Sequence, residues 1–189
     1  MTVVDKSLSA AQQESVWFAM SATFGRALKA KAFLEGKGVK CFVPMRYEMV
    51  DNKGQGKERK LIPAITNLIF VYTTKDTIQQ LKSGVNYLHY LTHSVGGVNQ
   101  PIVVPEHQMQ HFIAVCDTHN DKLVYLSPGE VNLEAGTAVK IIGSAFDGVE
   151  GTFVKVKGSR KKSVVVLVQG IAAVMIAEFA DGYLQVLER

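Results

Sequence analysis

The chain has 189 residues, of which 47% are apolar and 20% are charged, and this composition predicts one or two domains that can bury a core. The first 60 residues carry 11 basic side chains against 6 acidic ones, an imbalance that fits either nucleic-acid contact or solvated surface lysines. No apolar run approaches the about 18 residues of a membrane-spanning helix, and we expect no signal peptide in the first 15 residues, because they lack a basic start followed by an apolar core. The two cysteines, Cys41 and Cys116, are too few for a disulfide framework. We therefore expect a cytoplasmic protein whose two thiols are reduced and lie in the core.

The first 116 residues predict a sheet with helices on one face. The pattern of apolar residues, glycines and prolines predicts the elements in chain order. The first are a strand over 16–20, a helix over 24–38, a strand over 39–50 that contains Pro44, and a mobile hairpin loop over 51–60. They are followed by a strand over 67–74, a helix over 75–84, strands over 85–93 and 100–104, and a helix that Pro105 opens. The strand over 67–74 is strongly apolar and is expected at the centre of the sheet. This order predicts an α+β domain with a ferredoxin-like antiparallel sheet.

The rest of the chain predicts a separate all-β domain. Polar residues and a Ser-Pro-Gly turn over 117–136 predict a linker, and five short strand-like runs separated by glycines follow it. The run IAAVMIAEF could be helical by propensity, but its length and its neighbours favour a strand. Five short strands predict a small closed barrel, which removes exposed sheet edges. We therefore expect an N-terminal domain over 14–117, a linker over 118–132 and a β-barrel domain over 133–189.

One stretch of this tail resembles the KOW motif, in which an alternating strand ends at a glycine and a phenylalanine and further glycines lead into a second strand. The residues that stand in the places of the motif are Gly136, Val139, Ile141, Gly143, Phe146, Gly148, Gly151 and Val154. Gly143 and Gly148 would allow a turn that other residues resist, and Gly151 would let the next strand bend. Phe146 would pack the loop against the mouth of the barrel. The resemblance implies an SH3-like barrel, a fold that also occurs in ribosomal proteins.

The segment that begins at Trp17 resembles the opening of the NusG N-terminal domain: a strand with Trp and a second aromatic, a loop with glycine, an amphipathic helix, and a strand that ends in proline. The segments 65–71, 84–91 and 101–115 are similar to the later strands and the closing helix of that family, in the same order. With the KOW motif, they identify the chain as a NusG-like transcription elongation and antitermination factor. Where the family has an aromatic-rich strand start, this chain has aliphatic Ile65 and Leu68. It therefore resembles a specialised paralogue of the UpxY type, a group that includes factors for surface-polysaccharide operons.

The resemblance implies that the N-terminal domain docks on RNA polymerase, at the clamp helices of the largest subunit, and suppresses pausing. The positions that match the family's docking surface are Ser21, Ile65, Leu68, Phe70 and Leu91. A surface that binds a helix needs a contiguous apolar patch. Leu68 and Phe70 share one face of their strand because successive side chains point to opposite faces. That face is either the docking surface or part of the core.

Two further sets of contacts follow from the resemblance. Arg26, Lys29 and Lys31 on the first helix would approach the non-template DNA strand or nascent RNA through phosphate contacts, and a solvated helix face is the alternative. The KOW barrel would recruit a small-subunit ribosomal protein, the termination factor Rho, or RNA. We expect a monomer with no membrane contact.

The sequence gives little support to other classes of function. His107 and His111 have the helical spacing of zinc ligands, but Gln108 follows the first histidine where a metalloprotease has glutamate, so neither a metal nor another cofactor is expected. No phosphate-binding glycine loop, nucleophile elbow or pair of catalytic carboxylates appears, and no catalytic residue is predicted. The alternative to a polymerase-bound factor is an RNA-binding or ribosome-associated protein with a KOW barrel.

Overall fold

The structure is a computed structural model that describes residues 14–52, 56–126, 136–155, 162–168, 171–176 and 183–187. The helices are α1 (Ala27–Glu35), α2 (Lys75–Ser83) and α3 (Glu106–Cys116). The strands before α3 are β1 (Val16–Ala22), β2 (Lys40–Phe42), β3 (Met45–Asn52), β4 (Gly56–Pro63), β5 (Leu68–Thr73), β6 (Leu88–Tyr90), β7 (Thr92–Val95), β8 (Val98–Pro101) and β9 (Val103–Val104). The strands after α3 are β10 (Leu123–Leu126), β11 (Thr137–Ile142), β12 (Glu150–Lys155), β13 (Lys162–Val168), β14 (Ala172–Ile176) and β15 (Tyr183–Val186).

The main sheet of the N-terminal part is antiparallel and is built around β1. Its strand order is β2-β5-β1-β6, and β9 also pairs with β1. The register between the two central strands aligns Trp17 with Tyr72 and Ala19 with Phe70. The prediction that the strand over 67–74 lies at the centre is therefore confirmed, and so is the α+β class.

Helices cover both faces of this sheet, so the prediction of helices on one face is wrong. One face of the sheet packs in a single cluster with the buried residues of α1 and α2. Its side chains in this cluster include Phe18, Met20, Ile69 and Val71. The opposite face packs against α3. The physical reason is that β1 and β5 are apolar at almost every position, and a strand of this kind must be covered on both sides.

Local signals set the ends of the helices. The helix α1 runs into Gly36, and Gly38 takes the left-handed conformation at φ 74° that glycine adopts without strain. The hydroxyl of Thr74 accepts the backbone N–H of Thr77 at 3.2 Å and caps the start of α2. Pro105 lies just before α3 with an extended ψ of 140°, so it precedes the helix and is not its first residue.

Two further expectations are corrected. Residues 56–60 lie in β4, which pairs with β3 along its whole length, so most of the expected loop over 51–60 is a hairpin of two long strands. The expected linker over 118–132 contains β10, which pairs with β14. Its sequence, Leu123–Leu126, is a short apolar run of the kind that forms a strand, but polar neighbours on both sides obscured it.

The C-terminal part is an antiparallel sheet with the order β10-β14-β13-β12-β11-β15 among the described residues. The five strands predicted for the tail are confirmed, and residues 172–176 form a strand and not a helix. Val164, Val166 and Val168 point toward the cluster that contains α3, whereas Val165 belongs to a smaller cluster on the opposite face. The C-terminal sheet is therefore apolar on both faces.

Candidate interaction surfaces

The face of the main sheet that carries Leu68 and Phe70 is covered by α3. Both side chains lie in one cluster with Trp17, which confirms that they share a face. Leu68 is 4% exposed and Phe70 is 0% exposed. The ring of Phe70 meets the ring of Phe112 edge-on, with 5.8 Å between centroids. In this structure both residues belong to the core, and a docking role for this pair stays a prediction.

The other three predicted docking residues lie at the margin of the same cluster. Ser21 is half-buried and pairs with Leu68 across the strands. Ile65 and Leu91 are half-buried and pack against the cluster from outside. The backbone N–H of Leu91 donates to the carbonyl of Ala19 at 2.9 Å, which ties this residue to β1. Partly exposed side chains therefore frame the covered face.

The helix α3 lies between the main sheet and the C-terminal sheet. Met109 and Phe112 pack in the cluster that includes Phe70, and the same cluster continues to Val164 on β13. The backbone N–H of Glu150 donates to Nδ1 of His111 at 3.5 Å, so α3 also contacts the start of β12. The two parts of the chain thus share one apolar core through this helix.

Side chains at the β3–β4 hairpin connect it to the segment that follows α3. Arg59 bonds to the carboxylate of Asp121, and its guanidinium lies 4.0 Å from the ring centroid of Tyr47. The hydroxyl of Tyr125 on β10 donates to the backbone carbonyl of Met45 at 3.1 Å. Sequence reasoning missed these contacts because they join residues far apart in the chain, and charge alone does not pair Arg59 with one particular acid.

Both cysteines are free thiols; Cys116 is buried and Cys41 is half-buried. Burial raises the pKa of the Cys116 thiol to about 12, and the nearby Tyr125 hydroxyl opposes the shift. Burial, and then the charge of Glu35, raises the pKa of Cys41 to about 11. The Tyr125 hydroxyl also has a raised pKa, first because it is buried and then because of Cys116. Thiols that hold their protons at neutral pH are poor nucleophiles.

The loop from β1 to α1 holds an exposed aromatic ring beside basic residues. Phe24 is 83% exposed and has a φ of 62°. The guanidinium carbon of Arg26 lies 5.3 Å from the centroid of the Phe24 ring and 5.3 Å from that of Tyr87. The Lys29 Nζ lies 5.7 Å from the Tyr87 centroid. Next to Lys29 and Tyr87, an open hollow of about 620 Å³ also has Lys82 in its wall.

Of the three residues predicted to contact nucleic acid, two lie beside the same aromatic ring and the third forms an ion pair on its own helix. Arg26 and Lys29 flank Tyr87, whereas Lys31 forms an ion pair with Glu35 one turn along the helix. Phe24 was not singled out from the sequence. Its signal was available as a large aromatic residue directly before Gly25 in a basic segment.

The KOW residues form a compact loop between β11 and β12. Gly143 and Gly148 have φ values of 74° and 81°, which the turn requires, and Asp147 Oδ1 accepts the Gly143 N–H at 2.7 Å. Phe146 is 6% exposed and packs into the large cluster with Val139 and Ile141. Gly136 lies directly before β11.

The motif suggested that glycine is needed at position 151 so that the strand can bend, but the structure gives a different reason for this residue. A Cβ atom there would lie 2.7 Å from the Val165 carbonyl oxygen and 2.7 Å from a methyl group of Val164. Glycine at this position therefore allows β12 and β13 to approach each other closely.

In the part of the chain that the structure describes, the two histidines of α3 do not belong to a cluster of metal-ligand type. His107 is exposed on α3, whereas His111 is half-buried and contacts Glu150. Within the described ranges, no group of three or more His, Cys, Asp or Glu side chains is placed to hold a metal ion. In the same residues, no helix has the length and apolar character needed to cross a membrane.

The structure thus combines an α+β sheet domain with an all-β sheet that carries a KOW-type loop, and the last helix of the first joins the two. A family model described as transcription termination factor nusG matches residues 15–113, which is more than half of the chain. The chain therefore belongs to the NusG family and is a transcription factor of the elongation and termination type.

Among solved structures, the chain is similar to one described as "Domain interaction in Thermotoga maritima NusG". The identity is 18%, the match covers 85% of this chain and 92% of the other, and the TM-score is 0.44. No curated protein matches the chain.

Proposed function

We propose that the protein is a non-enzymatic transcription elongation and antitermination factor. Its N-terminal part binds RNA polymerase at the clamp helices of the largest subunit and suppresses pausing or termination. The observation that carries this proposal is the NusG family match over residues 15–113, the part that contains the main sheet and most of α3. The resemblance to UpxY-type paralogues extends the proposal to a specialised role, for example at surface-polysaccharide operons.

The proposed docking surface is the margin of the covered face. Ser21, Ile65 and Leu91 are partly exposed there and can contribute apolar and small polar contacts to a helix. Leu68 and Phe70 lie beneath them and hold their positions through core packing. An interface residue must lose exposed surface on binding, and the three marginal residues still have surface to lose.

The proposed nucleic-acid contact lies on the α1 side of the sheet. Arg26 and Lys29 are placed to approach phosphates of the non-template strand or the nascent transcript. Lys31 contributes less to this contact because Glu35 neutralises it in the free protein. The C-terminal KOW part is proposed to recruit a further partner through the loop around Phe146, with a small-subunit ribosomal protein, Rho or RNA as the candidates.

A pull-down with core RNA polymerase tests the docking surface. We expect the wild type to be retained and Ile65→Asp and Leu91→Asp to be lost, because a buried charge at an apolar interface is costly. Val98→Asp is the matched control, since Val98 is 62% exposed on the β7–β8 hairpin. Retention of both marginal variants at wild-type level would refute the proposed surface.

A transcription assay then separates the two classes of function. A polymerase-bound factor shortens the pauses of RNA polymerase in a purified reaction that contains no ribosome component. Tight RNA binding with a steep salt dependence, together with no effect on polymerase, would show instead the KOW-type RNA-binding protein. A map of polymerase occupancy across the genome, with and without the protein, tests the specialised role. If removing the protein lowers polymerase occupancy in only a few operons, the specialised role is supported. If occupancy falls in all operons, the specialised role is contradicted.

A further inference from the structure

The loop 23–26 presents Phe24 in a way that core packing does not explain. A bulky residue with φ of 62° is an outlier, because the left-handed region strains residues that have a Cβ. The ring is also 83% exposed, the largest exposed fraction among the exposed large apolar side chains of the described residues. Asparagine or glycine would satisfy the backbone at less cost. A strained and exposed aromatic residue indicates a role in contact with a partner.

The backbone of this loop is anchored by hydrogen bonds, although the Phe24 side chain is largely exposed. The backbone N–H of Gly25 donates to Oδ1 of Asn67 at 2.7 Å, and the N–H of Thr23 donates to the carbonyl of Tyr87 at 2.9 Å. Asn67 itself is fixed, because its carbonyl accepts the N–H of Ala22 at 2.7 Å. The Phe24 ring is therefore carried on a loop that is anchored to two other segments, which lowers the entropy lost when a ligand binds.

The charges around the ring identify the kind of ligand. The guanidinium of Arg26 lies 5.3 Å from the ring centroids of both Phe24 and Tyr87, and Lys29 Nζ lies 5.7 Å from the centroid of Tyr87. An aromatic ring flanked by cations is the combination that binds an unpaired nucleic-acid strand, because bases stack on the ring and phosphates meet the positive charges. A duplex hides the faces of its bases and gains only from the charges.

We propose that Phe24 is a nucleobase-stacking site for an unpaired strand, with Arg26 and Lys29 holding the adjoining phosphates. The inference rests on the proposed function, since a factor on transcribing polymerase meets both the displaced DNA strand and the new transcript. The two strands share this chemistry, and oligonucleotides of each type distinguish them.

The test measures fluorescence anisotropy of labelled oligonucleotides with the full chain. The probes are an oligothymidylate of about 12 nucleotides, the corresponding oligouridylate, an abasic strand of the same length and a duplex. We expect Phe24→Asn to weaken binding to the single strands about tenfold. It leaves the abasic strand and the duplex unchanged, since neither offers a free base. Asparagine tolerates the left-handed backbone, so this variant stays folded, and Phe24→Tyr keeps the affinity because the ring remains.

The salt dependence separates stacking from charge. Phe24→Asn leaves the slope of log affinity against log salt unchanged, whereas Arg26→Gln lowers that slope by about one. Tighter binding of the oligothymidylate assigns the site to displaced DNA, and tighter binding of the oligouridylate assigns it to the transcript.

Two results would overturn the proposal. The first is an equal loss on the abasic strand and the oligothymidylate, which would show that the ring does not act through a base. The second is unchanged oligonucleotide binding by Phe24→Asn; if that variant also loses core polymerase in the absence of nucleic acid, Phe24 is a protein contact. In either case, retained polymerase binding by the wild type leaves the proposed function intact, so the two failures are distinguishable.

Discussion

Arg59 on the β4 strand donates two hydrogen bonds from Nη2 to the two carboxylate oxygens of Asp121, at 2.8 and 2.9 Å. Asp121 lies just after α3, so the pair ties the hairpin to the junction between the two parts of the protein. The side chains of Arg59 and Asp121 are 52% and 68% exposed. Water therefore screens the attraction between the two charges. The pair has a well-defined geometry, but it contributes little to the free energy of unfolding.

The first prediction concerns the energy of this pair. A double-mutant cycle with Arg59→Gln and Asp121→Asn should give a coupling of about 0.2–1 kcal/mol in urea unfolding at low salt. The coupling should shrink at about 1 M salt, where the Debye length falls to about 3 Å. A coupling that does not change with salt would contradict the description of this contact as a water-screened ion pair.

The second prediction tests whether Phe70 belongs to the core. Phe70→Ala should lower the free energy of unfolding by about 3–5 kcal/mol, because it removes a buried ring from the contact with Phe112. Val98→Ala, at an exposed position, should change it by less than about 0.5 kcal/mol. Denaturant unfolding followed by circular dichroism measures both. If the two variants are equally stable, Phe70 does not have the burial described above.

The third prediction compares two glycines with opposite surroundings. Gly151→Ala should destabilise the C-terminal sheet by about 1–3 kcal/mol, because the new methyl group meets the Val165 backbone, which cannot move aside cheaply. Gly84→Ala should be neutral or stabilising by up to about 1 kcal/mol, because the nearest atom to the added Cβ is 3.7 Å away and its φ is −87°. The changes in Tm of the two variants, measured by thermal unfolding, should differ in sign or at least in size. The reverse order would refute the close approach of β12 and β13.

The fourth prediction follows from the Cys116 thiol. Its pKa is about 12 in the folded protein against an ordinary value of 9.0, so the folded state binds more protons than the unfolded state between these values. The stabilisation is complete below pH 9.0 and is lost as pH rises toward the folded pKa, with a slope of up to about 1.4 kcal/mol per pH unit. Urea unfolding over the alkaline range should show this decline. Cys116→Ala should show a shallower one, and an equally steep decline in that variant would assign the effect to other groups.

Sequence reasoning was most successful where periodicity decides the structure. The apolar run that became β5 and the i, i+3, i+7 spacing of Met109, Phe112 and Cys116 on α3 both predicted elements that the structure contains. The glycines of the KOW loop were also predicted, because a positive φ restricts the choice of residue at Gly143 and Gly148.

Long-range arrangement was harder to predict. The sequence indicated that Leu68 and Phe70 share a face, but not that α3 covers this face, because which helix packs on which side depends on the whole topology. The strand β10 was missed for a similar reason: four residues in a polar segment become a strand only when β14 supplies their partner. The contact of Arg26 with Phe24 and Tyr87 also depends on two segments that are distant in sequence.

The position of β1 at the middle of the main sheet has a consequence for the order of events during synthesis. The ribosome makes this strand early, yet its partners β5, β6 and β9 come later, and the last of them ends at Val104. At about 5–20 residues per second, the apolar side chains of Trp17 and Met20 wait several seconds for a complete sheet. A nascent chain that stops before Val104 therefore exposes the central strand, and such truncated products should be bound by chaperones or degraded rather than accumulate in a folded form.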